Sequence, residues 1–136
     1  MVWANLEDYC RKIMAEGNEL YIVAGVYGTG GSSSNGGVTK SFDNKITIPE
    51  SVWKVIVILP VGDNDINRIN QKTRTIAVNI PNKQSIGNNW RDYRISIDAL
   101  EDITGYNFLS NLPILIQNII EKRKKQFFTF HFLTKL

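Results

Sequence analysis

Apolar residues at Trp3, Leu6, Cys10, Ile13 and Met14 recur at i, i+3, i+7, i+10 and i+11, the spacing that gathers side chains on one side of a helix. The pattern predicts an amphipathic helix over 3–16, stopped by Gly17-Asn18, two residues that tolerate left-handed backbone at a helix end. The period then changes. Glu19 to Gly25 is a short β-rich run whose unbroken apolarity predicts burial on both faces. From Tyr27 to about Gly37 the chain holds five glycines and three serines, a flexible loop. A second strand signal covers Ile46 to Pro60, with Pro49-Glu50-Ser51 turning the chain before Trp53-Lys54-Val55-Ile56-Val57-Ile58-Leu59. Gly62-Asp63-Asn64-Asp65 is a further turn, and Thr73 to Ile80 a third strand, closed by Pro81-Asn82.

The remainder reads as helical. Asp98 is placed to cap a helix that starts at Ala99 and stops near Gly105, since its side-chain oxygen can accept from an orphan first-turn amide. Asn111-Leu112-Pro113 opens a last helix, Ile114 to about Lys125, with Leu115, Ile116, Ile119 and Ile120 on its apolar side. The tail Gln126-Phe127-Phe128-Thr129-Phe130-His131-Phe132-Leu133 changes character, and reads either as an edge strand or as a poorly ordered appendage. Strands followed by helices, without strict alternation, predict an α+β domain around an antiparallel sheet.

Composition narrows this picture only a little. The 136 residues make one domain's worth of core, and 43% hydrophobic with 21% charged residues is an ordinary globular balance. A net charge of +3 permits a polyanionic partner without demanding one. No apolar run approaches the roughly 18 residues a membrane span needs. The early acids Glu7 and Asp8 do not fit a signal peptide. Cys10 is the one cysteine, which excludes an internal disulfide and a cysteine-rich metal site. His131 is the one histidine, and it stands in the phenylalanine-rich tail, a poor place for a general base.

Candidate chemistry is sparse. Glu7 and Arg11 stand at i,i+4, which by itself reads as a surface salt bridge worth a few tenths of a kcal/mol. At ~100° per residue Glu7 falls ~20° beyond the edge of the apolar stripe and Arg11 another ~40°, so both are expected at the border of the buried face. Asn5 projects to nearly the opposite side and cannot share a site with Glu7. Gly28-Thr29-Gly30-Gly31 suggests a phosphate loop, yet Lys40-Ser41 follows Thr39 rather than glycine and no helix is predicted directly after it. A connection between strands is the better reading. Lys122-Arg123-Lys124-Lys125 suits a nucleic-acid backbone and equally the negative end of a helix dipole. Trp53 and Trp90 could stack on bases, but their aliphatic surroundings favour the core.

The ordered segments Trp3-Ala4-Asn5-Leu6-Glu7-Asp8-Tyr9-Cys10-Arg11, Glu19-Leu20-Tyr21-Ile22-Val23-Ala24-Gly25, Ile48-Pro49-Glu50-Ser51-Val52-Trp53-Lys54-Val55 and Thr73-Arg74-Thr75-Ile76-Ala77-Val78-Asn79-Ile80-Pro81-Asn82 carry a resemblance. Trp90 and Glu101-Asp102-Ile103-Thr104-Gly105-Tyr106-Asn107-Phe108-Leu109 complete it. Together they resemble the DNA/RNA non-specific endonuclease family, the ββα-metal (His-Me finger) nucleases of cyanobacterial and Serratia type. The resemblance implies the C-terminal part of such a domain over residues 1–125, N-terminally truncated, with 126–136 an atypical tail. It implies Mg²⁺, or Mn²⁺ in its place, and contacts to DNA and RNA through phosphates. It gives Glu7 the role of orienting metal-bound water and Arg11 that of a phosphate contact. The family's Asp-Arg-Gly-His segment, with its base histidine, and its metal-binding asparagine would lie before Met1. Its members are often secreted or periplasmic. The implied activity is hydrolysis of phosphodiester bonds in either nucleic acid, with the isolated 136-residue chain expected to be inactive. The alternatives are a non-catalytic remnant or nucleic-acid-binding fragment, and, more remotely, a small-ligand domain built on the glycine loop.

Overall fold

The computed structural model describes residues 1–32 and 37–124. Helix α1 (Val2–Ala15) leads into β1 (Asn18–Tyr27), then the short strands β2 (Gly31–Ser32), β3 (Val38–Thr39), β4 (Ser41–Phe42) and β5 (Ile46–Thr47). The long strand β6 (Ser51–Pro60), the single turn α2 (Asp65–Arg68) and β7 (Arg74–Pro81) follow. A 3-10 turn at Trp90–Tyr93, β8 (Arg94–Ile95), α3 (Ile97–Thr104) and α4 (Ile114–Ile120) complete the order. The main sheet is antiparallel, in the order β1-β6-β7-β8. β2 pairs with β3 and β4 with β5 as two small ribbons within the β1–β6 connection. The chain is an α+β fold, as its pattern predicts. Among the described residues no helix is long and apolar enough to cross a membrane.

Strand alternation distributes the core between two faces. Ile56 and Ile58 of β6 and Ile76, Val78 and Ile80 of β7 meet Leu6, Cys10 and Ile13 of α1, together with Trp90. The intervening residues Trp53, Val55 and Ala77 point the other way, against Ile97 and Leu100 of α3 and Phe108. Coverage on both faces is why β6 and β7 read as nearly continuous apolar runs. Each fully buried leucine or isoleucine contributes roughly 1.5–3 kcal/mol, and Leu6, at 0% exposure, anchors α1 to the sheet.

α1 ends where the sequence indicates. Gly17 takes a left-handed φ of 90°, and the Asn18 side-chain amide donates to the Ile13 carbonyl at 3.0 Å. Trp53 and Trp90 are core residues, both buried. Gly25 is required by close approach: a Cβ there would stand 2.4 Å from the Trp53 ring, whose indole N–H donates to the Val26 carbonyl.

Three expectations need correction. The 19–25 run is not buried on both faces: among the described residues β1 lies at the edge of the sheet, and Tyr21, Ile22 and Val23 are exposed, as are Val26 and Tyr27. The cap of α3 is Ser96, whose hydroxyl accepts from Ala99 N–H, so the helix begins two residues earlier and Asp98 lies inside its first turn. α4 ends at Ile120, and it buries Gln117 and Ile120 while Leu115 and Ile119 are exposed. The anticipated features of the 126–136 tail, including His131, lie outside the described residues.

Candidate active-site edge on α1

The buried stripe of α1 runs from Tyr9 through Ile13, Leu6 and Cys10 to Trp3, with Val2 also inside. Helical geometry makes this a ~120° arc. Tyr9 and Val2 extend it on the flank away from Glu7, and Met14, expected within it, is exposed. The helix is therefore rolled so that Glu7 lies ~40° past Trp3 and Arg11 ~80° past it. Glu7 is half-exposed on the border, as anticipated. Arg11 is not on the border but in solvent, a correction that follows from the roll.

Glu7 leans onto the sheet. Its Oε1 lies 3.5 Å from Nζ of Lys54, whose side chain is 6% exposed while that of Glu7 is 42% exposed. The same ammonium sits 4.0 Å from the centroid of the Trp3 ring. Lys54 occupies an α1-facing position of β6, between Val52 and Ile56. An unpaired buried charge costs several kcal/mol, so the carboxylate and the ring face are what make this lysine tolerable. Cys10 lies beside the pair. Burial pushes its thiol pKa up, more than Lys54 draws it down, which leaves a packing residue rather than a nucleophile.

Arg11 pairs with Asp8, one turn away at i,i+3, both side chains exposed. That hydrogen bond holds the guanidinium above its ordinary pKa. The simple i,i+4 bridge between Glu7 and Arg11 does not form, because each has a different partner. Asn5, on the flank away from Glu7, donates to the Asn88 carbonyl at 3.0 Å.

A second cluster lies across α1 from Glu7. Tyr9 and Trp90 meet at 5.0 Å between ring centroids. Arg91 stands 4.9 Å from the Tyr9 ring and 4.4 Å from that of Trp90, while Arg94 is 5.7 Å from Trp90. Arg74 donates to the Tyr9 hydroxyl. Burial, then repulsion from Arg74, lowers the Arg94 pKa. Three guanidiniums thus share one aromatic support, a surface suited to phosphates.

Residues 1–114 match the family described as DNA/RNA non-specific endonuclease. The chain belongs to that family. It is also 46% identical over 121 residues to a protein named "Nuclease" from Nostoc sp. (strain PCC 7120 / SAG 25.82 / UTEX 2576). That match covers 89% of this chain and 41% of the relative, so the chain spans under half the relative's length.

A DNA/RNA non-specific endonuclease that uses a divalent cation needs several oxygen donors around it. Glu7 is one carboxylate, already facing an ammonium. The group of three carboxylates that converges among the described residues is Asp98, Glu101 and Glu121. They belong to the α3–α4 side of the sheet, whereas Glu7 belongs to the α1 side. The described surroundings of Glu7 do not by themselves hold a cation.

Two amides in the described part of the glycine loop are already used within the fold. Gly30 N–H donates to the Ile48 carbonyl at 2.7 Å and Ser32 N–H to the Asn82 carbonyl at 2.8 Å, so these amides tie the loop to its own fold. Of the basic run at 122–125, Arg123 donates to the Gln71 carbonyl, and Lys125 lies outside the described residues. Lys54 and the arginine cluster were not anticipated. A lysine inside Val52-Trp53-Lys54-Val55-Ile56, and arginines at 91 and 94 flanking a tyrosine after Trp90, were the available signals.

Proposed function

We propose that this chain supplies one edge of an endonuclease site that hydrolyses phosphodiester bonds in DNA and RNA. The observation that carries the reading is Glu7, held against Lys54 and Trp3 at the border of α1, the carboxylate to which the resemblance gives the water-orienting role. Lys54 fixes the direction of Glu7, which can orient water through the carboxylate oxygen turned from the ammonium. Arg11 offers a planar, permanently charged fork for phosphate oxygens. Its present partner Asp8 is exposed, and surface ion pairs exchange at little cost. Phosphate-directed contacts carry no base or sugar preference, which suits a substrate range that includes both nucleic acids.

The proposal includes a requirement for Mg²⁺, or Mn²⁺ in its place, with donors other than those described around Glu7. It also holds that the 136-residue polypeptide alone does not cut. A general base contributes about 10²–10⁴-fold, and His131, the one histidine, lies in the atypical tail. The Arg74, Arg91 and Arg94 cluster favours a second reading for the isolated chain, retention of nucleic acid without cleavage.

The identity to the Nostoc protein makes a chimera the direct test. This chain replaces the matching part of that relative, and plasmid nicking is followed with Mg²⁺, with Mn²⁺ and with EDTA. The chimera is expected to nick, and Glu7→Gln to reduce nicking at least about 100-fold while the circular dichroism spectrum is unchanged. A folded chimera that nicks equally well with Glu7→Gln refutes the role of Glu7. Nicking by the 136-residue chain alone, lost in Glu7→Ala, refutes its inactivity.

A further inference from the structure

On the α3–α4 side of the sheet, carboxylate oxygens of Asp98, Glu101 and Glu121 lie within 4.8 Å of one another. Asp98 and Glu101 stand one turn apart on α3, and Glu121 caps the end of α4. The two segments are stitched by backbone, Asp98 N–H donating to the Glu121 carbonyl at 3.1 Å. Glu101 accepts the Phe108 N–H at 2.6 Å through one oxygen. Glu121 is 5% exposed, and its Oε1 is buried without a hydrogen-bond partner. Burial, then repulsion from Glu101 and Asp98, pushes the Glu121 pKa up to about 7. Its place at the carbonyl end of α4 adds a further unfavourable dipole. A buried carboxylate with an orphaned oxygen, turned toward two more carboxylates, is an arrangement completed by a cation.

We propose that Asp98, Glu101 and Glu121 form a binding site for a divalent cation of the Ca²⁺ type, which clamps α3 to the end of α4. Oxygens on one Ca²⁺ lie up to about 5 Å apart, from bond lengths of about 2.3–2.6 Å, so three oxygens within 4.8 Å of one another fit its shell. Ca²⁺ also accepts irregular geometry and fills its coordination with water and carbonyl oxygens, which a half-open site between two helices can provide.

The test uses the full chain, freed of metal by chelation, at pH 8. Calorimetric titration with CaCl₂ is paired with thermal unfolding in CaCl₂, in MgCl₂ and in EGTA. Saturating Ca²⁺ is expected to raise Tm by several degrees, reversibly with EGTA, and more than Mg²⁺ does. Asp98→Asn, at a half-buried position that leaves the core intact, is expected to weaken Ca²⁺ at least tenfold. Glu121→Gln is expected to abolish the Ca²⁺ shift while raising Tm in EGTA. No heat and no Tm shift at millimolar Ca²⁺ in the wild type overturns the proposal, leaving a proton as the group that relieves the cluster. An undiminished Ca²⁺ shift in folded Asp98→Asn and Glu121→Gln variants overturns it equally. Neither outcome depends on nuclease activity, so this site and the proposed function fail independently.

Discussion

Lys54 is a buried cation whose charged partner is a half-exposed carboxylate, and removing Glu7 should therefore cost more than a surface salt bridge does. At 3.5 Å and an effective dielectric of about 20, the Coulomb energy of two unit charges is about 5 kcal/mol. Glu7 is 42% exposed, so water screens the pair and replaces part of the lost contact. Glu7→Gln is expected to destabilise the chain by about 1–3 kcal/mol, because the ammonium keeps its burial and the Trp3 face but loses its counter-charge. Lys54→Met removes the charge that had to be buried, and is expected to fall within about 1 kcal/mol of wild type. The double variant should resemble Lys54→Met, giving a coupling of about 1–3 kcal/mol, the whole of the Glu7→Gln effect. Urea denaturation followed by tryptophan fluorescence measures all four corners. A Glu7→Gln variant as stable as wild type, or single effects that simply add, would show that Glu7 is not what makes Lys54 tolerable.

Two further outcomes follow from the geometry. Gly25→Ala places a methyl group against the buried Trp53 ring, with no flexible side chain to yield; a loss of about 1–3 kcal/mol is expected, and an unchanged urea midpoint would contradict the close approach. Glu121 sets a pH dependence in calcium-free buffer. Its folded pKa of about 7 lies above the ordinary 4.5, so the folded state holds the extra proton between these values. The stability this group contributes is complete below about pH 4.5 and is lost as pH rises through 7, by about 3 kcal/mol at most. Subtracting the Glu121→Gln profile isolates that slope, and a difference that is flat or rises with pH would sink it.

The sequence made the main elements legible where one physical rule dominated. α1 followed from helical spacing, its end from Gly17-Asn18, and the long strands β6 and β7 from apolar runs bounded by turn residues. What escaped depended on neighbours. The apolarity of β1 was visible, but whether a second strand or layer covers it is a tertiary fact. The roll of α1 depends on Val2 and Tyr9, which widen the buried arc on the flank away from Glu7 and turn Arg11 into solvent. Ser96 outcompeted Asp98 as the cap of α3 because Ile97 and Leu100 both had to reach the core. Of the candidate site, Glu7 and Arg11 came from family resemblance, whereas Lys54 required knowing that α1 lies over β6. The convergence of Glu101 and Glu121, 20 residues apart, required knowing where α4 ends.

The edge position of β1 has a consequence for the chain in solution. Its outer side has backbone amides and carbonyls without a strand partner among the described residues, and its middle carries Tyr21, Ile22 and Val23 in the open. Of its ten residues, Glu19 alone is charged. Such a strand is a template for another copy of itself. Joining is bimolecular, so losses to self-association should grow with the square of protein concentration. A lysine at position 23 would act as a gatekeeper, and dilute handling serves the same end.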